Sequence, residues 1–229
     1  MALSKLRIAG ITMLFIAFFL SFLASISLPT IRALDIARIT DPLPIPNGAP
    51  SIGVREARFG IWSFCEYFNS GSVQCNPTGH GYTWPGLTTS PNSQAIAVQP
   101  LQASWTRGLA IHPVATAFAF IGFCLVFTTH TFWTLLVTAL AALLTLLAFA
   151  VDIALYAKVH NLIKDVQVEG IHIYDSKTGA GFWLTFVSLI LLIIAGVVNL
   201  ISHRSESYPA YPSYPMSSSK PSWLGFLKK

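Results

Sequence analysis

Four apolar runs, each long enough to cross a bilayer, constrain this chain more than anything else in it. They cover residues 8–28, 109–128, 132–156 and 182–201. A helix needs about 20 apolar residues to span the hydrocarbon. Lipid offers the backbone no hydrogen-bond partner, so each run must satisfy its own polar groups as a helix. The first, second and fourth runs hold no Asp, Glu, Lys or Arg, and the third holds one acid, Asp152. Only 10% of the 229 residues are charged, against roughly 25% in an ordinary soluble domain. The expected fold is an all-α membrane protein: a four-transmembrane-helix bundle over 1–205, with loops at 29–108 and 157–181 and a disordered cytoplasmic tail at 206–229. The net charge of +5 has no Lys/Arg run behind it, so nucleic acid is not an expected partner.

The first run has a rival reading. Lys5 and Arg7 ahead of apolar residues, with Ala24 among small ones, also fit a secretory signal. The run is long for that, which favours a retained helix. Lys and Arg near the helix ends then set the orientation. Lys5 and Arg7 precede the first helix; Arg204, Lys220, Lys228 and Lys229 follow the fourth. Both termini are expected in the cytoplasm and both loops outside, in the plasma membrane.

The first loop opens with a proline-rich arm, "TDPLPIPNGAP", which suits extended chain. Then comes "FGIWSFCEYFNSGSVQC", rich in strand-forming aromatics around the turn signal Asn69-Ser70-Gly71. With a three-residue turn, Phe68 faces Ser72 and Cys65 faces Cys75. Opposed strand positions bring cysteines within bridging range, and a disulfide persists outside the cell. A hairpin alone is marginal in water, so the staple answers the location. Two free thiols would require the inverted topology. Residues 76–100 read as irregular loop. In the second loop, "VQVEGIHIY" alternates as a strand pair or bulged strand able to extend the first loop's sheet. Cys124 reads as a buried apolar residue, and the Tyr-Pro repeats of the tail favour disorder.

No metal cluster, phosphate loop or nucleophile–base pairing is visible, so neither catalysis nor a cofactor is expected. The histidines are scattered. His80, His112, His160 and His172 fall on the outer side, where a pH-responsive role is chemically available. Thr134, Thr138, Thr145 and Asn199 are candidates for bonds between helices, with Ala115 and Ala119 allowing close approach. Asp152 lies about 30 Å along the third helix, at the depth of Arg107. The two form a candidate interhelical ion pair, with His112 as a nearby hydrogen-bonding partner. The other reading leaves Arg107 to lipid phosphates and Asp152 to water.

These stretches resemble the PalI-type tetraspan family of fungal pH-response regulators and its eisosome-associated relatives. "GIWSFCEYFNSGSVQC" is similar to the family's Gly-(aliphatic)-Trp…Cys…Cys pattern, placing Gly60 and Trp62 in an extracellular motif that claudins share in outline. "WTRGLAIHPVATAFAFIG", "AVDIALYAKVHN" and "GAGFWLTFVSLILLI" resemble the junctions of the second, third and fourth helices. The tail departs from the filamentous-fungal pattern in being short. The resemblance implies a claudin-like bundle with a small extracellular sheet or hairpin from the first loop. It also implies a plasma-membrane accessory protein that helps a seven-helix pH sensor reach or persist at the surface. Eisosome-type relatives instead organise membrane domains and the cortex, and a claudin-like adhesive protein would self-associate. A transporter lacks its polar pathway here.

The orientation is directly testable. A tag near Pro91 should be reached by protease on intact cells and a C-terminal tag should be protected. The reverse pattern would invert the topology.

Overall fold

The computed structural model describes residues 2–40, 54–77, 79–86, 100–128, 131–164, 167–168, 171–172 and 175–207. The proline-rich arm, most of the Tyr-Pro tail and residues 87–99 lie outside these.

The long helices are α1 (Ala2–Ser25), α3 (Ile111–Leu125), α4 (Thr131–Lys164) and α5 (Ala180–Ser207). Helix α3 is led in by a short helix, α2 (Ala103–Thr106), and a 3-10 turn (Arg107–Ala110). Four spans long and apolar enough for a membrane result, the second taking in α2, the turn and α3. Helix α1 packs against α5 and α3, and α4 packs against α3 and α5, so α1 and α4 stand diagonally. The start of α1 and the end of α5 lie at the end of the bundle away from the sheet.

Three helices present seams that step alternately by three and four residues. On α1 the seam is Gly10, Leu14, Ala17, Ser21 and Ala24. On α5 it is Gly181, Thr185, Ser188, Leu192, Ala195 and Asn199. That of α4 runs from Thr134 through Thr138, Ala141, Thr145, Ala148 and Asp152 to Leu155 and Val159. The spacing is that of a left-handed coil, but most of the residues are small or hydroxylic, as membrane packing requires. Large apolar side chains such as Phe19, Leu143 and Ile193 point outward, where lipid covers them. Ser188 donates to the Ala17 carbonyl at 2.8 Å, and the Ser21 and Thr116 hydroxyls lie 2.8 Å apart. Thr134 reaches the Leu125 carbonyl at 3.0 Å, whereas Thr138 and Thr145 bond carbonyls of their own helix. Asn199 Nδ2 has no partner among the described residues. Cys124, expected inside, is exposed on the lipid-facing side, because Gly122 takes the contact with α4 there. Exposed Trp105 and Trp183 mark the sheet end, and Phe127, Phe132 and Trp133 mark the other, the placing of interfacial aromatic belts.

The sheet is antiparallel, in the order β4-β3-β2-β1-β7, from β1 (Ala37–Thr40), β2 (Val54–Phe59), β3 (Phe64–Phe68), β4 (Val73–Cys75) and β7 (Asp175–Thr178). The second loop does form a strand pair, β5 (Gln167–Val168) with β6 (Ile171–His172), but as a separate two-stranded sheet. It is β7 that joins β1. Alternation puts Ala37, Ile39, Ala57 and Phe59 on the buried face and Arg38, Glu56 and Arg58 on the other. Below the buried face stands α4, which runs beyond the expected 132–156. At 1.5 Å per residue it is about 51 Å long, well over the roughly 30 Å of hydrocarbon. Its last turns supply Leu155, Val159, Leu162 and Ile163 to the sheet's core.

Residues 179–181 clasp β1 to the start of α5. Gly179 and Gly181 donate to the carbonyls of Ile36 and Asp35, each at 2.8 Å. A Cβ at Gly179 would overlap the Asp35 carbonyl oxygen, and one at Gly181 would lie 3.0 Å from it. Gly179→Ala should therefore lower stability by about 2–3 kcal/mol. Gly181→Ala should cost less, because alanine's helix propensity offsets part of the crowding. Thermal unfolding of the two variants in detergent checks the order.

Candidate functional site

The first loop is seated on the bundle by the turn between β2 and β3. Gly60 N–H donates to the Ser63 carbonyl at 2.9 Å, closing the turn. Ile61 N–H donates to Ser27 Oγ at 2.8 Å, and the Trp62 indole donates to the Ser25 carbonyl at 2.7 Å. That carbonyl belongs to the last residue of α1, where helical partners run out. A Cβ on Gly60 would stand 2.6 Å from Leu28 Cβ and 3.0 Å from its nitrogen. Glycine is therefore required for close approach and tryptophan for reach. The buried Tyr82 hydroxyl donates to the Gly60 carbonyl at 2.8 Å, and burial pushes that phenol up, so it remains a donor.

The hairpin pairs in the expected register. Phe68 N–H donates to the Ser72 carbonyl at 2.9 Å across the turn, where Gly71 has φ of 81°. Cys65 opposes Cys75, the Cα atoms are 4.0 Å apart, and the two are disulfide-bonded. Behind them Trp84 is fully buried. Its indole donates to Glu66 Oε1 at 2.9 Å, its ring meets Phe59 edge-on at 5.2 Å, and its backbone pairs with Leu101. Nothing in the irregular Gly/Pro/Thr-rich surroundings of Trp84 marks it as core; only its size does.

The outer face carries an ion network that sequence reasoning missed. Lys177, Arg38 and Arg58 stand on adjacent strands directly opposite one another, an arrangement that is unfavourable unless countered. Asp35, buried, takes Arg38 in a two-pronged bond at 2.7 and 2.9 Å. Glu56 takes Arg58 at 2.8 and 3.2 Å, and the guanidinium lies 4.6 Å over the Tyr67 ring. Asp35 also raises Arg38 above its ordinary value. The period-two pattern and opposite charges were visible; the register was not.

Within the bundle near the sheet end, three helices meet at one polar cluster. His112 on α3 places Nε2 3.2 Å from Asp152 Oδ2 on α4 and 3.4 Å from Thr185 Oγ1 on α5. Its Nδ1 lies 3.0 Å from the Leu109 carbonyl. All three side chains are buried. The expected Arg107–Asp152 ion pair does not form, and the partner of Asp152 is His112. Five residues of helix turn a side chain by about 140°, so Arg107 and His112 cannot share a face. Leu109 takes the inner position of the turn, and a Cβ on the exposed Gly108 would stand 3.1 Å from Val151. Arg107 is exposed and lays its stem against Gly81. Further out, His160 Nδ1 lies 2.7 Å from Ser176 Oγ, joining α4 to β7. Among the described residues no three His, Cys, Asp or Glu side chains come together.

A family model described as the SUR7/PalI family matches residues 6–195, which take in the first three spans, most of the fourth and the whole five-stranded sheet. A search of curated proteins finds no match.

Either Cys65→Ser or Cys75→Ser should cost about 2–3 kcal/mol. The double variant should be no worse than either single, since each alone removes the bridge. Trp62→Phe, which keeps the ring and loses the donor, should cost about 1 kcal/mol. Unfolding of purified protein with and without reductant reads all four.

Proposed function

The chain belongs to the SUR7/PalI family, and we propose that it is a non-enzymatic plasma-membrane accessory protein of the ambient, alkaline pH response. In this reading it assists the surface localisation or stability of a seven-helix pH-sensor membrane protein. Its sheet faces outward and both termini are cytoplasmic. One observation favours this role within the family. The two stretches that resemble the pH-response branch, residues 105–122 and 150–161, are the ones that meet at His112 and Asp152. The distinctive sequence is therefore spent on joining the second and third spans beneath the sheet. The reading assigns no reaction: His112, Asp152 and Thr185 join three helices, and the disulfide joins two strands.

A second reading within the family is supported by the sheet. A stapled, folded loop is what a claudin-like or eisosome-type structural protein would offer to neighbours when it organises membrane domains, cortex or adhesion. Gene deletion separates the two. Under the first reading the deleted strain grows poorly at alkaline pH, its cortical patches are unchanged, and the sensor co-purifies with the tagged protein. Altered patches with normal alkaline growth, and self-association as the main co-purification product, would replace it with the second.

A further inference from the structure

His112 meets an acceptor at each ring nitrogen. Nδ1 lies 3.0 Å from the Leu109 carbonyl, and a carbonyl only accepts, so Nδ1 carries a proton. Nε2 lies 3.2 Å from Asp152 Oδ2. That contact is a hydrogen bond only if a second proton stands in it. On the nitrogen, the proton makes an imidazolium beside a carboxylate. On the oxygen, it makes a carboxylic acid beside a neutral ring. Thr185 cannot stand in for it. Its single hydroxyl proton points to the Gly181 carbonyl at 3.1 Å or to Nε2 at 3.4 Å. Either way the Nε2–Oδ2 contact is left unfilled. A neutral ring beside an ionised carboxylate would set two lone pairs face to face. It would also strand one negative charge among buried side chains, on a carboxyl whose Oδ1 has no partner among the described residues.

We infer that His112 and Asp152 together form a binding site for one shared proton inside the bundle, and that this proton is what joins α3 to α4 beneath the sheet. The pair is then neutral in either form. Among the described residues no neighbouring charge substitutes for the proton. Arg107, on the turn before α3, is exposed on the far side. On α4, Lys158 lies over the Trp105 ring, and Tyr156 stacks on His160, which is bonded to Ser176. Towards β1, Asp35 is occupied by Arg38, and on β7 Asp175 and Lys177 face each other. From α5 the group that faces the pair is the uncharged Thr185.

The inference does not depend on the proposed function, and its test needs no partner protein. The full chain is placed in lipid nanodiscs with nitrogen-labelled histidine, and His112 is identified by the signal that His112→Gln removes. The expected result at neutral pH is one of two signatures. Either both ring nitrogens of His112 are protonated, or an infrared band of a protonated carboxyl is present and disappears in Asp152→Asn. A bare Nε2 with no protonated-carboxyl band overturns the inference. The joining role has its own readout. An amide at 152 donates to Nε2 without an added proton, so Asp152→Asn should stay close to wild type in Tm. Asp152→Ala should fall by about 5–10 °C. Equal losses in the two variants would show that the proton is not what holds the helices.

Discussion

Inside a bilayer a helix gains nothing by hiding leucine, because lipid tails are as apolar as leucine itself. What draws the four helices together is close contact, and close contact needs small side chains. Most positions in the seams of α1, α4 and α5 obey this. Gly10 sits against Asn199, Gly122 against Thr138, and Ser188 reaches a carbonyl of α1. Each approach is near enough that a methyl group or two would push the helices apart and break the hydroxyl bonds beside it. The rest of the molecule rests on that spacing. The end of α1, the clasp at Gly179 and the entry of α3 are all fixed points for the sheet, and their separation is set by how closely the helices stand.

The sheet could not hold its own shape. Its strands are three to six residues long and one face is a ladder of ions. The buried face finds its cover in an extension of α4, which leaves the membrane and continues under the strands. Leu155 and Val159 belong to the sheet's core, and Asp152, one turn below Leu155, belongs to the polar cluster. At the entry to α3 the same succession holds, with Leu109 of the 3-10 turn in the sheet's core and His112 of α3 in the cluster. Membrane packing and sheet packing are therefore one continuous contact along two helices. The disulfide adds local closure between β3 and β4, and the Trp62 bond ties the β2–β3 turn to the end of α1.

Much of this was legible. The four spans were plain from length and charge, and the register of Cys65 on Cys75 followed from turn length alone. The strands β1 and β2 alternate apolar with polar residues in "ARIT" and "VREARF", but they are short and separated by a proline-rich arm, which hid the pairing. Strand β7, "DSKT", has no strand-like residue except its threonine, and its place comes from the clasp beside it, its pairing with β1 and the His160–Ser176 bond. The seams escaped for a different reason. A search for apolar stripes finds nothing in helices that are apolar all round, and the informative residues were the small ones. Placing Arg107 and Asp152 at one depth was sound, but depth alone does not say which way a side chain turns. That is decided by helical phase, and phase favoured His112.

The same phase argument explains why a histidine can sit at that position at all. An ionisable residue within a span is costly unless it is paired. Here the Leu109 carbonyl, in the 3-10 turn that leads into α3, orients the His112 ring from the same stretch of chain. Asp152 and Thr185 come from other helices and complete the contact only when α4 and α5 are already close. The small residues of the seams bring those helices to that distance. The polar cluster therefore cannot be what first assembles the bundle. It is satisfied by an assembly that close packing has already made. Its contribution is to exclude other helix phases, in which His112 or Asp152 would face lipid alone.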